Sequence, residues 1–177
     1  MTNEKLKLQQ LNRLTIDEFK KTDKNPIILV ADNIRSGQNV GSLFRTADSF
    51  GLAAVFLAGI SPLPPNKEVL KTALGATESV DWQYFTNHAQ LLAYLKANGY
   101  LIVCVEQTTQ SISLASFVPD SALKYALILG NEVDGVSDEM IKNADLCIEI
   151  PQVGTKHSLN VSVCAGIVTW HFYQHII

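Results

Sequence analysis

The sequence predicts an α/β fold in which a parallel sheet is flanked by helices. Two observations support this prediction. Short apolar runs such as residues 27–31 do not alternate with polar residues, which is typical of strands buried on both faces. These runs alternate along the chain with segments of helical periodicity, the order expected when helices connect parallel strands. With 177 residues, of which 47% are hydrophobic, the chain can build one substantial core.

The first part of the chain is predicted to be a basic helical arm. Leucines recur at a loose helical spacing within residues 4–20, and residues 23–26 break the pattern with Asp-Lys-Asn-Pro. Residues 1–25 carry a net charge of +2, whereas the remainder carries −5. We therefore divide the chain into an arm, residues 1–26, and an α/β domain, residues 27–177.

Within the domain, strands and helices follow one another with recognisable stop signals. Gly51 and Gly99 end two helical patterns, and three prolines form a loop after the second strand. The predicted strands are 27–31, 53–58, 80–85, 100–105, 125–129 and 146–150. The predicted helices are 39–50, 67–74, 88–98, 137–143 and 159–174.

Composition narrows the function. The net charge of −3 and isoelectric point of about 5.8 argue against a general nucleic-acid coat protein, although a local basic patch remains compatible. The N-terminus lacks the apolar core of a signal peptide, and residues 51–60 are too few to span a bilayer. We therefore expect a cytoplasmic protein.

The cysteines and histidines do not indicate a metal site. Three cysteines lie in apolar runs without a Cys-x-x-Cys motif, so we expect buried thiols in a reducing compartment. His171 and His175 share a helical face but lack a third ligand nearby. His88, at the start of a predicted helix, is expected to be a surface residue. The cysteines are Cys104, Cys147 and Cys164.

Polar residues follow three of the strands, and ligands of parallel α/β sheets bind at the carboxyl ends of strands. In the first segment, residues 32–47, Arg45 and Gly41 are four residues apart on a helix. An arginine above a glycine would leave an open cationic spot suited to a phosphate. The alternative is a surface arginine and a glycine required for packing.

The second segment, residues 130–137, begins and nearly ends with glycine. Its Gly-x-x-x-x-Gly spacing is similar to a phosphate-binding loop, but Val136 and Ser137 occupy the positions of the required Lys and Ser/Thr. The glycines allow the backbone to approach a ligand closely. A tight strand–helix turn capped by Ser137 is a compatible reading.

The third segment, residues 150–163, places polar residues at the mouth of an apolar helix. Ser158 is a suitable N-cap, and Asn160 and Ser162 need hydrogen-bond partners if the helix start is buried. Capping combined with packing against a second subunit is the alternative to a catalytic role.

Together the three segments resemble the motifs of the SpoU (TrmH) family of RNA ribose methyltransferases, of the SPOUT class. The resemblance rests on Asn-x-Gly-x-x-x-Arg-x-Ala at residues 39–47, Leu-Gly-Asn-Glu-x-x-Gly-x-Ser at 129–137, and Ile-Pro-x-x-Gly-x-x-x-Ser-Leu-Asn-Val-Ser-Val at 150–163. It implies a C-terminal trefoil knot, an obligate homodimer, and S-adenosylmethionine-dependent methylation of a ribose 2′-oxygen.

The resemblance also implies roles for individual residues. Arg45 would clamp a phosphate and stabilise the developing alkoxide, because a guanidinium stays charged in proteins. Contacts with RNA are expected from the arm and from Arg35, Arg45 and Lys156. The remaining catalytic residues would be Asn39, Glu132, Ser158 and Asn160. The cofactor-binding residues would be Gly130, Gly135, Ile150, Ser158 and Leu159.

The substrate is expected to be tRNA, with ribosomal RNA as the alternative within the family. A dimer of this fold that binds RNA without methylating it is a second alternative. A third is a flavodoxin-like domain that binds a small molecule or nucleotide.

Overall fold

The computed structural model describes residues 3–155 and 158–176, in which seven strands form one parallel sheet. The order across the sheet is β3-β2-β1-β6-β4-β7-β5. The predicted parallel sheet is therefore confirmed, and one short strand, β5, was not foreseen. The strands are β1 (Asn25–Asp32), β2 (Leu52–Ala58), β3 (Trp82–Phe85), β4 (Tyr100–Val105), β5 (Ile112–Ser113), β6 (Lys124–Leu129) and β7 (Leu146–Glu149).

Helices lie on both faces of this sheet, as predicted. Residues of α2, α3 and α7 pack with one set of strand side chains, and residues of α5 and α6 pack with the other. The short helix α4 was not foreseen, and a 3-10 turn at Leu8–Leu11 precedes α1. The helices are α1 (Ile16–Lys21), α2 (Gly37–Ser49), α3 (Lys67–Ala73), α4 (Ala76–Ser79), α5 (His88–Ala97), α6 (Asp138–Asn143) and α7 (Val161–Ile176).

The centre of the sheet explains the non-alternating apolar runs. On β1, Leu29 faces the α2 side and Ile28 faces the α5 side, and both are buried. The neighbouring strand β6 follows the same pattern, with Leu127 and Ile128 facing opposite layers. Burial on both faces removes the need for polar positions within the strands.

The strand order brings the polar segments to one edge. Strand β6 lies between β1 and β4, which precede it in the chain. Because all pairs are parallel, the carboxyl ends of β1, β4, β6 and β7 open at the same edge. This edge carries the functional residues described below.

The N-terminal arm is only partly attached to the domain. Phe19 of α1 packs against the core, whereas Leu6, Leu11 and Leu14 are exposed. Thr15 caps α1, since its hydroxyl accepts a hydrogen bond from the Glu18 backbone N–H at 3.3 Å. Among the described helices, none combines the length and apolarity needed to cross a membrane.

Two helix starts differ from their predicted positions because of their caps. Helix α2 begins at Gly37, two residues early, since the Ser36 hydroxyl accepts a hydrogen bond from the Asn39 N–H at 3.3 Å. Helix α7 begins at Val161, two residues late, and its cap is Asn160. The prediction that Ser158 caps this helix was wrong.

Candidate active site

A cleft of about 600 Å³ opens at the carboxyl ends of β4, β6 and β7. Its walls come from the second and third segments and from the end of β4, so residues distant in sequence share one space. All the residues predicted to bind a cofactor line this cleft. They are Gly130, Gly135, Ile150, Ser158 and Leu159.

The second segment is a closed turn whose glycines have no room for side chains. Asn131 and Gly135 exchange backbone hydrogen bonds of 2.9 and 3.0 Å, and Gly135 adopts a φ of +71°. A Cβ on Gly130 would lie 2.1 Å from the Val136 nitrogen. The Asn131 side chain accepts hydrogen bonds from two N–H groups inside the turn. The glycines are therefore needed for the loop to close.

Glu106, at the end of β4, supports this turn from the floor of the cleft. Its Oε2 accepts a hydrogen bond of 3.0 Å from the Val136 N–H, and its Oε1 accepts one of 2.8 Å from the Gln107 N–H. A Cβ on Gly135 would approach Glu106 Oε2 to 2.3 Å. Sequence reasoning missed Glu106, although its place at a strand's carboxyl end was a usable signal.

Glu132 joins the first and second segments. Its carboxylate accepts hydrogen bonds from the backbone N–H groups of Arg35 and Ser36, at 3.0 and 3.1 Å, and from Asn39 Nδ2 at 2.8 Å. Burial raises the pKa of Glu132, but the hydrogen bonds from Arg35, Asn39 and Ser36 outweigh it and leave the pKa below its ordinary value. Glu132 is thus held as an anion.

Asn160 extends this network to the third segment. Its Nδ2 donates to Asn39 Oδ1 at 3.2 Å, while its own Oδ1 accepts from the Ser162 N–H and hydroxyl. Asn160 and Ser162, at the mouth of α7, are therefore partnered, as expected. The chain Glu132–Asn39–Asn160 connects all three segments beside the cleft.

The side chains of the predicted RNA-binding residues that the structure describes, Arg35 and Arg45, take no part in this network, although the Arg35 backbone N–H does. Arg45 is exposed on α2, and within the described residues its guanidinium has no hydrogen-bond or ion-pair partner. The Arg35 side chain is 61% exposed and lies 3.7 Å from Asp134. Lys156 lies outside the described residues.

The predicted phosphate spot over Gly41 is not present. Gly41 is buried against α3, and a Cβ there would lie 2.1 Å from Thr72 Oγ1 and 2.2 Å from the Val69 carbonyl oxygen. The reading of Gly41 as a packing residue is the correct one. The glycine allows α2 and α3 to approach closely, and Arg45, one turn further along α2, is exposed.

One further prediction about a polar residue was wrong, and another is correct in position only. His88 is not a free surface residue, because its Nε2 lies 2.6 Å from Oδ1 of the fully buried Asp32. Ser137 occupies the N-cap position of α6, but its hydroxyl makes no capping bond. Instead, its backbone N–H donates to Asp32 Oδ2 at 2.7 Å. A single histidine and aspartate, 56 positions apart, offered no sequence signal for this contact.

The other two histidines that the structure describes, and the cysteines, are accounted for by local structure. His171 Nε2 lies 2.6 Å from the Phe117 carbonyl oxygen, and His175 Nδ1 lies 2.7 Å from the His171 carbonyl oxygen. No cluster able to hold a metal occurs in residues 3–155 and 158–176. Cys104, Cys147 and Cys164 are free thiols.

A parallel sheet with a glycine-bounded cleft at its carboxyl edge defines an α/β protein that binds a small ligand there. The chain belongs to the SpoU rRNA Methylase family, which matches residues 26–170. The resemblance of the three segments is thereby confirmed.

Named relatives act on both ribosomal and transfer RNA. The chain is 36% identical over 152 residues to the 23S rRNA (guanosine-2′-O-)-methyltransferase RlmB of Neisseria meningitidis, covering 86% of this chain and 60% of that protein. It is 36% identical to the tRNA (guanosine(18)-2′-O)-methyltransferase TARBP1 of Mus musculus, covering 82% of this chain and 9% of that protein. The chain thus spans less than two thirds of both relatives.

Solved structures share the fold. The A. aeolicus TrmH/SpoU tRNA modifying enzyme superposes with a TM-score of 0.77 at 26% identity, covering 90% of this chain and 80% of that one. The AdoMet-bound rRNA methyltransferase from Sinorhizobium meliloti superposes with a TM-score of 0.80 at 23% identity, covering 90% and 60%. At that identity the second comparison concerns the fold alone.

Proposed function

We propose that this protein is an S-adenosylmethionine-dependent RNA methyltransferase that modifies a ribose 2′-hydroxyl. The observation that carries the proposal is the Glu132–Asn39–Asn160 network beside the cleft, in a chain of the SpoU methylase family. A scaffold that only bound RNA would not require an anion, two amides and a glycine-bounded cleft in one place.

The cleft fits the cofactor. Its volume of about 600 Å³ is within the usual range for small-molecule sites. Gly130 and Gly135 bring backbone groups to the surface of the cleft, and Ile150 and Leu159 provide apolar contact for an adenosine group. When bound, the cofactor supplies an electrophilic methyl group. The protein's task is then to orient the attacking hydroxyl and stabilise its developing charge.

We assign to Arg45 the stabilisation of the negative charge that develops on the attacking hydroxyl. Its guanidinium is exposed and unpaired among the described residues, so it is available for the phosphate next to the target ribose. It remains protonated and acts as a bidentate clamp, with no proton abstraction. Ser158 and Asn160 complete the hydrogen bonds at the reacting centre, and Glu132 fixes Asn39.

The substrate that we place first is tRNA, with ribosomal RNA second. Support for tRNA comes from the A. aeolicus tRNA modifying enzyme, which resembles the chain in both sequence and fold. In the sequence, Arg35 lies close to Asn39, and Lys156 lies close to Asn160. The basic arm adds three more cations that could contact RNA, Lys5, Lys7 and Arg13. The free cysteines support the cytoplasmic location predicted from the sequence.

We further propose a homodimer formed through α7, and a C-terminal knot. Val163, Ile167 and Trp170 are 51%, 40% and 52% exposed, and their spacing of four and three residues places them on one face. An apolar helical face of this kind is typical of a buried interface. Insertion of β6 between earlier strands supports the knot. A second copy would also provide partner groups for Arg45.

Ligand binding separates this proposal from its rivals. Calorimetric titration of the full chain with S-adenosylmethionine, a nucleoside triphosphate and a flavin mononucleotide should show saturable binding of the first only. Preference for a flavin or nucleotide would support the flavodoxin-like alternative. Cofactor binding without transfer to any host RNA would contradict the proposed activity.

A further inference from the structure

Asp32 is a buried acidic residue that takes no part in the proposed chemistry. Its side chain is 0% exposed, and three donors surround its carboxylate. His88 Nε2 lies 2.6 Å from Oδ1, Asn33 Nδ2 lies 3.0 Å from Oδ1, and the Ser137 N–H lies 2.7 Å from Oδ2. Burial of a carboxylate is costly unless such donors are in place. The arrangement therefore requires the segments that carry His88, Asn33 and Ser137 to keep their positions relative to Asp32.

His88 lies between two carboxylates. Its Nε2 faces Asp32 of β1, and its Nδ1 lies 3.4 Å from Glu139 Oε2 of α6. A neutral imidazole has one N–H and can donate to only one of them, whereas an imidazolium donates to both. The ring thus ties α5 to β1 and α6.

Asp32 and its neighbour Asn33 together hold both ends of the second segment. The Ser137 N–H donates to Asp32, and Asn131 Nδ2 donates to the Asn33 carbonyl oxygen at 2.7 Å. Asn33 has a φ of 54°, and its Oδ1 accepts a hydrogen bond from the Ile60 N–H at 3.2 Å. Adjacent residues at the end of β1 therefore clamp the loop that carries Glu132 and one wall of the cleft.

We propose that Asp32 and His88 are positioning residues that hold the second segment in the shape that binds the cofactor. His88 does not line the cleft, and acts through Asp32 and the Ser137 N–H. Without the imidazole, the buried Asp32 side chain loses one of its three partners, and its hold on the end of the loop weakens. The identity of the cofactor rests on the proposed function, but the anchoring of the loop does not.

Hydrogen exchange on the ligand-free chain tests the anchoring directly. In His88→Ala we expect faster exchange of the backbone amides at residues 131–137 than in the wild-type protein. Asp145→Ala is the matched control, because the Asp145 carboxylate accepts the Ile102 N–H at 2.7 Å near the amino end of β4, the opposite edge of the sheet. This control should speed exchange at Ile102 and leave the loop unchanged.

Calorimetry then tests the consequence for binding. We expect His88→Gln, which lacks the imidazole ring, to bind S-adenosylmethionine about tenfold more weakly, the effect of losing one hydrogen bond to a buried carboxyl group. Asp145→Ala should lower the thermal midpoint without changing the affinity.

The inference is overturned if loop exchange is unchanged in His88→Ala, or if Asp145→Ala speeds it equally. Unchanged affinity in both His88 variants, despite lower thermal stability, would show a merely structural role. Faster loop exchange in His88→Ala, together with a wild-type protein that does not bind S-adenosylmethionine, would uphold the anchoring and refute the proposed function instead.

Discussion

At the scale of single residues, the site depends on two glycines that no other residue can replace without moving the loop. Gly130 has backbone atoms where a side chain would begin, and Gly135 has the Glu106 carboxylate there. Their spacing in the sequence predicted a close turn. The sequence did not reveal that Glu106, 29 positions before Gly135, provides the second obstruction, because the contact depends on how β4 lies beside β6.

Gly130→Ala should abolish cofactor binding. The new methyl group would meet the Val136 nitrogen, so the turn must open and the cleft wall must move. Gly99→Ala is the matched control, since Gly99 has a φ of +73° but open space around it. Both variants should lose stability, the control by about 1 kcal/mol, and only the first should lose S-adenosylmethionine affinity in calorimetry. Equal affinity in the two variants would contradict the role of this turn.

Glu132 gives the site a measurable dependence on pH. Its pKa is lowered in the folded protein, so its contribution to stability is present above the ordinary pKa of 4.5 and is lost as the pH falls below it. Glu132→Gln should therefore unfold more readily than the wild-type protein at neutral pH, and the difference should narrow below about pH 4.5. Denaturant titrations of both proteins across this range measure it. A difference that does not vary with pH would refute the charged network.

At the scale of elements, N-caps explain why two helices start at residues other than those predicted from the sequence. The apolar periodicity correctly predicted α2 and α7, but periodicity does not report which polar residue accepts the first free N–H groups. Ser36 and Asn160 take that role, so each helix starts two residues from its predicted position. In α7 this choice matters, because capping aims the Asn160 amide at Asn39.

Deleting residues 1–14 should weaken RNA binding and leave cofactor binding intact. The cut removes Lys5, Lys7 and Arg13 but keeps Thr15 as the cap of α1 and Phe19 in the core. Removal of three cations should also reduce the salt dependence of RNA affinity, by a slope of up to about 0.9 for each phosphate that the arm neutralises in the full chain. Filter binding at several salt concentrations measures both quantities.

A matched control for the arm is Lys96→Ala combined with Lys142→Ala. Lys96 Nζ lies 3.3 Å from Asn143 Oδ1, so these two lysines are on the α5–α6 side, away from the arm. The same decrease in affinity in the control would show that general charge, and not the arm, governs binding. Weaker S-adenosylmethionine binding by the deletion variant would refute the separation of the two functions.

Trp170→Glu should convert the proposed dimer to a monomer. A charge on the exposed face of α7 would have to be buried at the interface without a partner. Sedimentation of the variant and of Leu74→Glu, a change at a 68% exposed leucine after α3, measures the effect. A monomeric wild-type protein, or a variant that still dimerises, would contradict an interface through α7.

At the scale of the whole molecule, the sequence predicted more of the fold than of the hydrogen bonds within the site. Buried, non-alternating runs at 27–31 and 125–129 were sufficient for a parallel sheet. Insertion of β6 between β1 and β4 followed from no local pattern, since strand order depends on long-range packing. The Asp32–His88 contact was likewise invisible, because it joins residues that only the completed sheet brings together.

Transfer of a labelled methyl group from S-adenosylmethionine to host RNA tests the central claim most directly. The products would be separated by size and digested to nucleosides. We predict label in a 2′-O-methylated nucleoside, from tRNA or from ribosomal RNA, that disappears with Arg45→Ala and is not restored by Arg45→Lys, because a lysine lacks the bidentate fork. Label on a base, or none at all from a chain that binds the cofactor and is offered both RNA classes, would contradict the account.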